Sequence, residues 1–413
     1  MTSAIPLLPQ AGQPPASGRG GALCPAHSTA AMDNPAQFCY TEPMKITQED
    51  DNMEQQKRHS GIDCMRIVCM LLIVLYHLQG HGGLIASEQI SPANRLFIVS
   101  LQSICQLAVD GFALISGYIG YAHRQRYASL VSLWLRVLFY SAGITAAFWL
   151  IAPTTVSHAD IHNAFFPLLT GQYWYFTAYA GCFVLAPLAR AAIAQLSRRD
   201  AVACLTGVVL VFSVLPYLMR NDPFLTSGGN HALWLLIVYA LGAYVRKYDP
   251  FAQRSTRSLA LLFAAACAVQ AASGFILPAV SRLMTGKAVT RWYLVCNDSP
   301  TTLVLALLAL ALFSRLRLPR STRVFRLLVS CSFSVYLLHD HPLVRRHVVA
   351  PLGARLAALP PFLLIPSLLA SACGIYLLCA GVDALRGKLF DVLHIDTLLL
   401  RAEDRLARRS CSP

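Results

Sequence analysis

The sequence predicts an all-α integral membrane protein with about ten transmembrane helices and both termini in the cytoplasm. Of the 413 residues, 56% are hydrophobic and only 13% are charged, whereas soluble domains carry about a quarter of their residues charged. The apolar residues form blocks of about 20, which is long enough to cross a hydrocarbon core as helix. Basic residues concentrate in alternate connecting segments, as the positive-inside rule expects of cytoplasmic loops.

The N-terminal segment, residues 1–58, is predicted to be a disordered tail. It is rich in Pro, Gly, Ala, Ser and Gln and has no sustained periodicity. Such a composition buries too little apolar surface to offset the entropy of ordering. It also lacks the apolar run of a secretory signal peptide. Met32, Met44 and Met53 are alternative start sites.

Ten apolar segments follow, and continuous runs of this kind predict helices, since membrane barrels show short alternating strands instead. The sixth, eighth and ninth are short, so we expect them to tilt little or to bend. The segments are 62–80, 95–121, 130–151, 172–192, 201–219, 231–246, 257–279, 298–314, 325–343 and 361–383. Residues 386–413 are expected to form a basic cytoplasmic tail.

Composition also argues against two kinds of partner. The net charge is +14, but the basic residues lie in short loops and do not alternate with aromatic residues, so we expect no nucleic acid. Most of the thirteen cysteines lie in apolar segments. They show neither metal-ligand spacing nor a disulfide framework and are interpreted as small apolar side chains, so no metal is expected.

Arg66 and His77 are the first residues that do not belong in lipid. An ionisable group inside a span costs roughly 3 kcal/mol or more and therefore needs a reason. The two residues are eleven positions apart, so on a helix they share a face with a rise of about 16 Å between them. The structural alternative is an arginine that anchors the inner end and a polar histidine at the outer end.

Two further ionisable side chains are expected at a depth similar to that of His77. Asp110 in the second span is a candidate to orient or charge a histidine, and the adjacent Ser116 and Gly117 permit close helix packing. His339 lies in the ninth span. Because His341 is only two residues away, it points to a different helix face, and the pair is poorly placed for a shared metal. A polar cluster at the outer end is the alternative.

Two surface segments have both a structural and a functional interpretation. Arg124 and Arg126 begin the second inner loop and can hold phosphates bidentately, although the positive-inside rule explains them as well. Tyr173 and Trp174 open the fourth span. They are interpreted as part of an interfacial aromatic belt or as a platform on which a sugar stacks.

Taken together, these motifs resemble the acyltransferase-3 family of bacterial membrane acyltransferases, which includes O-acetyltransferases of surface polysaccharides. The resemblance covers about residues 61–385, the predicted transmembrane domain. The Phe112–Tyr118 segment has one residue more than the family pattern. The segments that carry the resemblance are the Arg66 and His77 pair, Phe112–Tyr118, the Arg124 and Arg126 pair, Tyr173–Phe176 and Ser334–His339.

The resemblance implies transfer of an acyl group, acetyl in the expected case, from cytoplasmic acyl-CoA such as acetyl-CoA. In the resulting hypothesis, Arg66, Arg124 and Arg126 hold the phosphates. His77 acts as general base on the attacking hydroxyl. Asp110 holds the imidazole in the correct tautomer.

The acceptor implied by the resemblance is a hydroxyl of a cell-surface or exopolysaccharide glycan. Tyr173, Trp174 and His339 are the candidate residues for binding it. The implied location is the bacterial plasma membrane, where the chain crosses the lipid several times. Oligomeric state and any separate extracytoplasmic partner remain open at this level.

The rival interpretation is a transporter or flippase of a lipid-linked glycan, because buried charges and many spans suit a transporter equally well. The lack of inverted repeats counts against it. Release of free CoA separates the two classes. A purely structural membrane partner would leave Arg66 and His77 unexplained.

Overall fold

The computed structural model describes residues 60–88, 90–123, 125–318 and 322–410, with only the backbone at 409 and 410. These residues belong to one compact unit, 51–413. Their longer elements are all helices, in agreement with the predicted all-α class. The predicted tail over residues 1–58 lies outside the described residues.

The described helices are numbered α1 to α14 along the chain. They are α1 (Ser60–Gly80), α2 (Pro92–Cys105), α3 (Leu107–Gly120), α4 (Tyr127–Ile151), α5 (His158–Phe165), α6 (Trp174–Gln195), α7 (Arg198–Met219), α8 (Ala232–Tyr248), α9 (Thr256–Thr285), α10 (Pro300–Phe313), α11 (Arg323–His339), α12 (Pro342–Ala357), α13 (Pro361–Val392) and α14 (Ile395–Ser410).

Within the described part of the chain, seven helices are long and apolar enough to cross a membrane, counting α2 and α3 as one span. The bent pair of α11 and α12 makes an eighth. All ten predicted segments are helical. The sixth and eighth, α8 with 17 residues and α10 with 14, are shorter than a usual span, since about 20 residues are needed to cross the hydrocarbon core.

The ninth predicted segment, 325–343, ends earlier than expected. Helix α11 stops at His339, and the chain bends by 66° into α12. Pro342 explains the break, since a proline disfavours the helical conformation at the residue before it and suits the first turn of a new helix. The ring of His341 completes the start of α12 by accepting a hydrogen bond from the Leu343 amide at 3.2 Å.

Helices α3 and α8 pack closely because small residues face each other. A Cβ atom on Gly117 would overlap the carbonyl oxygen of Tyr239, and one on Gly242 would overlap that of Leu114. The expected close approach at Gly117 is therefore confirmed. Side chains of α1 contribute to two apolar clusters, one with α3, α8 and α10 and one with α11 and α13.

Candidate active site

A cavity of about 1170 Å³ follows helices α1 and α11 along most of their length. Both helices line it from their first turns to their last. The name "basic end" is used for the part lined by Asp63, Arg66, Arg323 and Arg326, and "histidine end" for the part lined by His77, His81, Asp340 and Arg345. The cavity therefore connects a cluster of guanidinium groups with a cluster of imidazoles.

Aromatic side chains form much of the wall between the two ends. Tyr175 and Tyr179 on α6 stack with ring centroids 6.2 Å apart, and Tyr336 on α11 meets Tyr175 edge to face. Phe112, Trp174 and Phe333 complete this aromatic wall. A wall of this kind suits an extended, weakly polar ligand.

Hydrogen bonds fix the tautomer of His77. Nδ1 of His339 lies 2.5 Å from the carbonyl oxygen of Val335. A carbonyl only accepts, so this Nδ1 donates and the Nε2 of a neutral His339 accepts. Nδ1 of His77 lies 2.9 Å from that Nε2 and must be the donor. The lone pair of a neutral His77 is therefore on Nε2, which is the nitrogen left to accept a proton.

Asp340 is the carboxylate beside His77. Its Oδ1 lies 3.2 Å from Nδ1 of His77, and the residue is only 1% exposed. Arg345 holds it in place, because Nη2 donates to Oδ2 at 2.9 Å and Nε to the backbone oxygen of Asp340 at 2.8 Å. The break between α11 and α12 thus supplies a carboxylate that supports a positive charge on His77.

His81 lies just beyond α1, with its Nε2 3.6 Å from Oδ1 of Asp340. Its ring is 4.9 Å from that of His77. Burial and the nearby guanidinium of Arg345 lower the pKa of His81, while Asp340 opposes the shift. The neutral imidazole is therefore favoured.

The basic end is formed by the first turns of α1 and α11. Arg66 lies 3.6 Å from Asp63, an ion pair within one helix turn. Arg323 and Arg326 are three residues apart and therefore share a face of α11. Guanidinium groups with this spacing provide paired donors for phosphate oxygens.

Two loops contribute to the cavity wall, one before α8 and one before α10. They contribute Asn230, Trp292 and Asn297 to the cavity wall. Buried Asp298 joins the loops by accepting a hydrogen bond from Thr226 at 2.6 Å, and it also accepts one from Tyr217 of α7 at 2.7 Å. Burial raises the pKa of Asp298, and these hydroxyl groups oppose the shift.

The structure brings together four of the residues predicted from the sequence. Arg66, His77 and Trp174 line the cavity, and His339 supports His77 from behind. His341 points elsewhere, towards Thr145, as expected for a histidine on another face.

Asp110 does not lie beside His77. This fully buried carboxylate accepts a hydrogen bond from the Trp234 indole at 3.0 Å and is absent from the cavity lining among the described residues. Counting residues gives the depth of a side chain along its helix but not the direction in which it faces. The structure therefore replaces the expected Asp110–His77 pair with a pair of Asp340 and His77.

Three other predicted residues lie away from the cavity or outside the described part of the chain. Arg126 forms ion pairs with Glu403 at 3.2 Å and Asp404 at 2.5 Å on α14, so its guanidinium is directed to the C-terminal helix and not to the cavity. Arg124 lies outside the described residues. Tyr173 is buried, and its hydroxyl donates to the Leu337 carbonyl at 3.1 Å. This hydroxyl therefore holds α11 in place and does not contact a ligand.

Four residues of the cavity were not predicted from the sequence: Asp340, Arg345, Arg323 and Arg326. The signal for Asp340 was Pro342, which predicts a helix end just after His339 and hence a side chain at the break. In the sequence, Arg323 and Arg326 are indistinguishable from ordinary positive-inside charges, because their alignment with Arg66 depends on how α11 packs against α1.

Comparison with known proteins gives one match. The acyltransferase-3 family model, described as an acyltransferase domain, matches residues 59–381. Neither the curated proteins nor the solved structures contain a significant match.

Proposed function

Because this chain belongs to the acyltransferase-3 family and is a membrane acyltransferase, we propose that it transfers an acyl group, acetyl in the expected case, from acyl-CoA to a hydroxyl of a cell-surface glycan in the bacterial plasma membrane. The observation that carries this proposal is the cavity that joins the basic end to the histidine end. One end suits phosphates, and the other suits base catalysis at a thioester.

The donor binds through its phosphates at the basic end. Arg66, Arg323 and Arg326 line this part of the cavity, and guanidinium groups bind phosphate oxygens with paired hydrogen bonds. From Arg66 to His77 helix α1 rises about 16 Å, a distance comparable to the length of the pantetheine arm. Phosphates held at the basic end therefore bring the thioester close to His77.

His77 activates the acceptor. Its Nε2 takes the proton of the acceptor hydroxyl as the oxygen attacks the thioester carbonyl carbon. The tetrahedral intermediate then collapses, the C–S bond breaks, and the CoA sulfur leaves as a thiol with the proton from the imidazolium. During these steps Asp340 stabilises the charged imidazole, in the manner of the carboxylate in a Ser-His-Asp triad.

The acceptor approaches from the histidine end, which we assign to the outer side of the membrane because the inner side carries more basic residues. Trp174 and Trp292 offer aromatic faces on which a sugar ring can stack. The side-chain amides of Asn230 and Asn297, joined by a 3.0 Å hydrogen bond, supply polar groups to the same cavity wall.

The test is release of free CoA by the purified chain. The wild-type protein, in lipid nanodiscs with acetyl-CoA and oligosaccharides from the surface glycan of its source, should release CoA in step with glycan acetylation. His77→Ala should lower this rate at least about a hundredfold, since general bases contribute roughly 10²–10⁴-fold to a rate. His162→Ala, a change at an exposed histidine of α5, is the matched control and should keep the rate.

An equal rate in His77→Ala would remove His77 from the mechanism. No release of CoA by the wild type with any acceptor would instead favour the transporter, because a transporter has no reason to cleave a thioester.

A further inference from the structure

We infer that the histidine end is also a binding site for a divalent transition-metal ion of the zinc class. The ligands are Nδ1 of His77, Nε2 of His81 and Oδ1 of Asp340. One possible ligand atom from each of these three residues lies within 4.8 Å of the other two. Neutral imidazole nitrogens together with a carboxylate oxygen are the donor set of many zinc sites.

The distances between these atoms are close to those that a zinc ion imposes. With bonds of about 2.0–2.1 Å, two ligand atoms of a tetrahedral zinc are about 3.3 Å apart. Oδ1 of Asp340 is 3.2 Å from Nδ1 of His77 and 3.6 Å from Nε2 of His81. Two of the three edges therefore need only small adjustments of the side chains.

The state of the Asp340 carboxylate is an independent observation that points to a cation. Its Oδ1 is buried and accepts no hydrogen bond from the described residues. Nε of Arg345 is 2.8 Å from this oxygen, but it donates to the backbone oxygen of Asp340. Arg345 thus supplies charge near this oxygen but no hydrogen bond to it, and buried polar atoms normally have such a partner. A cation between the oxygen and the two imidazoles would use the free lone pair.

The local sequence explains the arrangement. His77 is in the last turn of α1 and His81 follows directly after the helix end, so the turn that leaves α1 brings the second ring back beside the first. The α11–α12 break presents Asp340 to both rings. Three protein ligands leave a fourth position open, as in catalytic zinc sites. Arg345 opposes a cation here, so we expect weaker binding than at a structural zinc site.

Metal binding has a consequence for catalysis that rests on the proposed function. A zinc ion on Nδ1 of His77 must displace the proton that this nitrogen donates to His339. The ion also binds the Asp340 carboxylate, which would otherwise stabilise the charged imidazole. Zinc should therefore inhibit acyl transfer.

The experiment measures zinc binding to the full-length chain in nanodiscs by calorimetry with zinc chloride and no substrate. The tightest class of zinc sites in the wild type should hold about one ion per chain. His81→Gln should lose this binding, His81→Cys should keep it because a thiolate is a zinc ligand, and the exposed-site control His162→Gln should match the wild type. Cobalt bound in place of zinc should give the intense visible bands of a four-coordinate site.

Two results would overturn the inference. One is the absence of saturable zinc binding to the wild type, and the other is unchanged binding in His81→Gln. Loss of binding in both His81→Gln and His81→Cys would also count against ligation by residue 81. Because calorimetry uses no substrate, its outcome is independent of whether the chain transfers acyl groups.

Discussion

At the scale of single residues, Asp110 and Asp340 are both buried carboxylates, but their neighbours differ in kind. Asp110 has a neutral partner, the indole of Trp234. Asp340 has a guanidinium on one side and His77 on the other. An ionised carboxylate is tolerated in an apolar interior only when it is paired. Asp340 can therefore respond to charge on His77, whereas Asp110 serves to join α3 and α8.

This difference leads to a prediction for two matched substitutions. Asp340→Asn keeps the shape of the side chain but removes its charge, so the maximum rate of CoA release should fall by about a hundredfold or more. Asp110→Asn keeps an oxygen that accepts from Trp234, so it should retain most of the rate. Both rates are measured on purified protein, with the Michaelis constant for acetyl-CoA as a check on folding.

A larger loss of rate in Asp110→Asn than in Asp340→Asn would support the role predicted from the sequence, in which Asp110 orients His77. A fall in the rate of Asp340→Asn together with loss of acetyl-CoA binding would indicate a structural role for Asp340.

The residue-scale features that could be predicted from sequence are those that depend on position along one helix. The shared face of Arg66 and His77 follows from a spacing of eleven residues, and both line the cavity. The partner of His77 could not be predicted in this way. It depends on the rotation of α3 and α11 about their axes, which is set by packing between helices.

At the scale of elements, α1 and α11 have the same layout, with one arginine (α1) or two (α11) in the first two turns and a histidine in the last turn. Their histidines meet at 2.9 Å. Such a contact requires the two helices to be in register, so their arginines also approach the same end of the cavity. This pairing explains why Arg323 and Arg326 join Arg66 while Arg126 binds α14.

The arginines of α11 should therefore act on donor binding. Arg323→Gln with Arg326→Gln should raise the Michaelis constant for acetyl-CoA by about tenfold or more and change the maximum rate less, because phosphate contacts mainly supply ground-state binding. Lys substitutions should rescue only in part, since Lys lacks the planar fork. Arg126→Gln is the control, and initial rates over a range of acetyl-CoA concentrations are the measurement.

An unchanged dependence on acetyl-CoA with a lowered maximum rate would move the phosphate site away from α11. A larger rise of the Michaelis constant in Arg126→Gln would place the phosphate site at Arg126, as predicted from the sequence.

At the scale of the whole molecule, the sequence predicts the class and location of the helices better than their number. The all-α class and the apolar segments follow from composition and run length. The count of spans does not, because α8 and α10 are short and α11 breaks at Pro342. The side from which each substrate enters depends on the predicted orientation, with both termini inside.

Labelling tests that orientation. Single cysteines replacing Ser157 and Ser227 should react with a membrane-impermeant thiol reagent added to intact cells, whereas those replacing Gln125 and Ala252 should not. The reason is that basic residues are retained on the cytoplasmic side. Reactivity of the unsubstituted chain gives the background from its native cysteines. The reverse labelling pattern would mean that the chain has the opposite orientation in the membrane, with the basic end outside.

The central claim is that one cavity lets donor and acceptor meet from opposite sides of the membrane. The most direct measurement uses sealed proteoliposomes with labelled acetyl-CoA added outside. Glycan oligosaccharides carrying one fluorophore are trapped within, and the same oligosaccharides with a second fluorophore are added outside. Molecules whose basic end faces outwards should acetylate the trapped acceptor, and His77→Ala should not. Acetylation of the external acceptor alone would contradict the account, because donor and acceptor would then have entered from the same side.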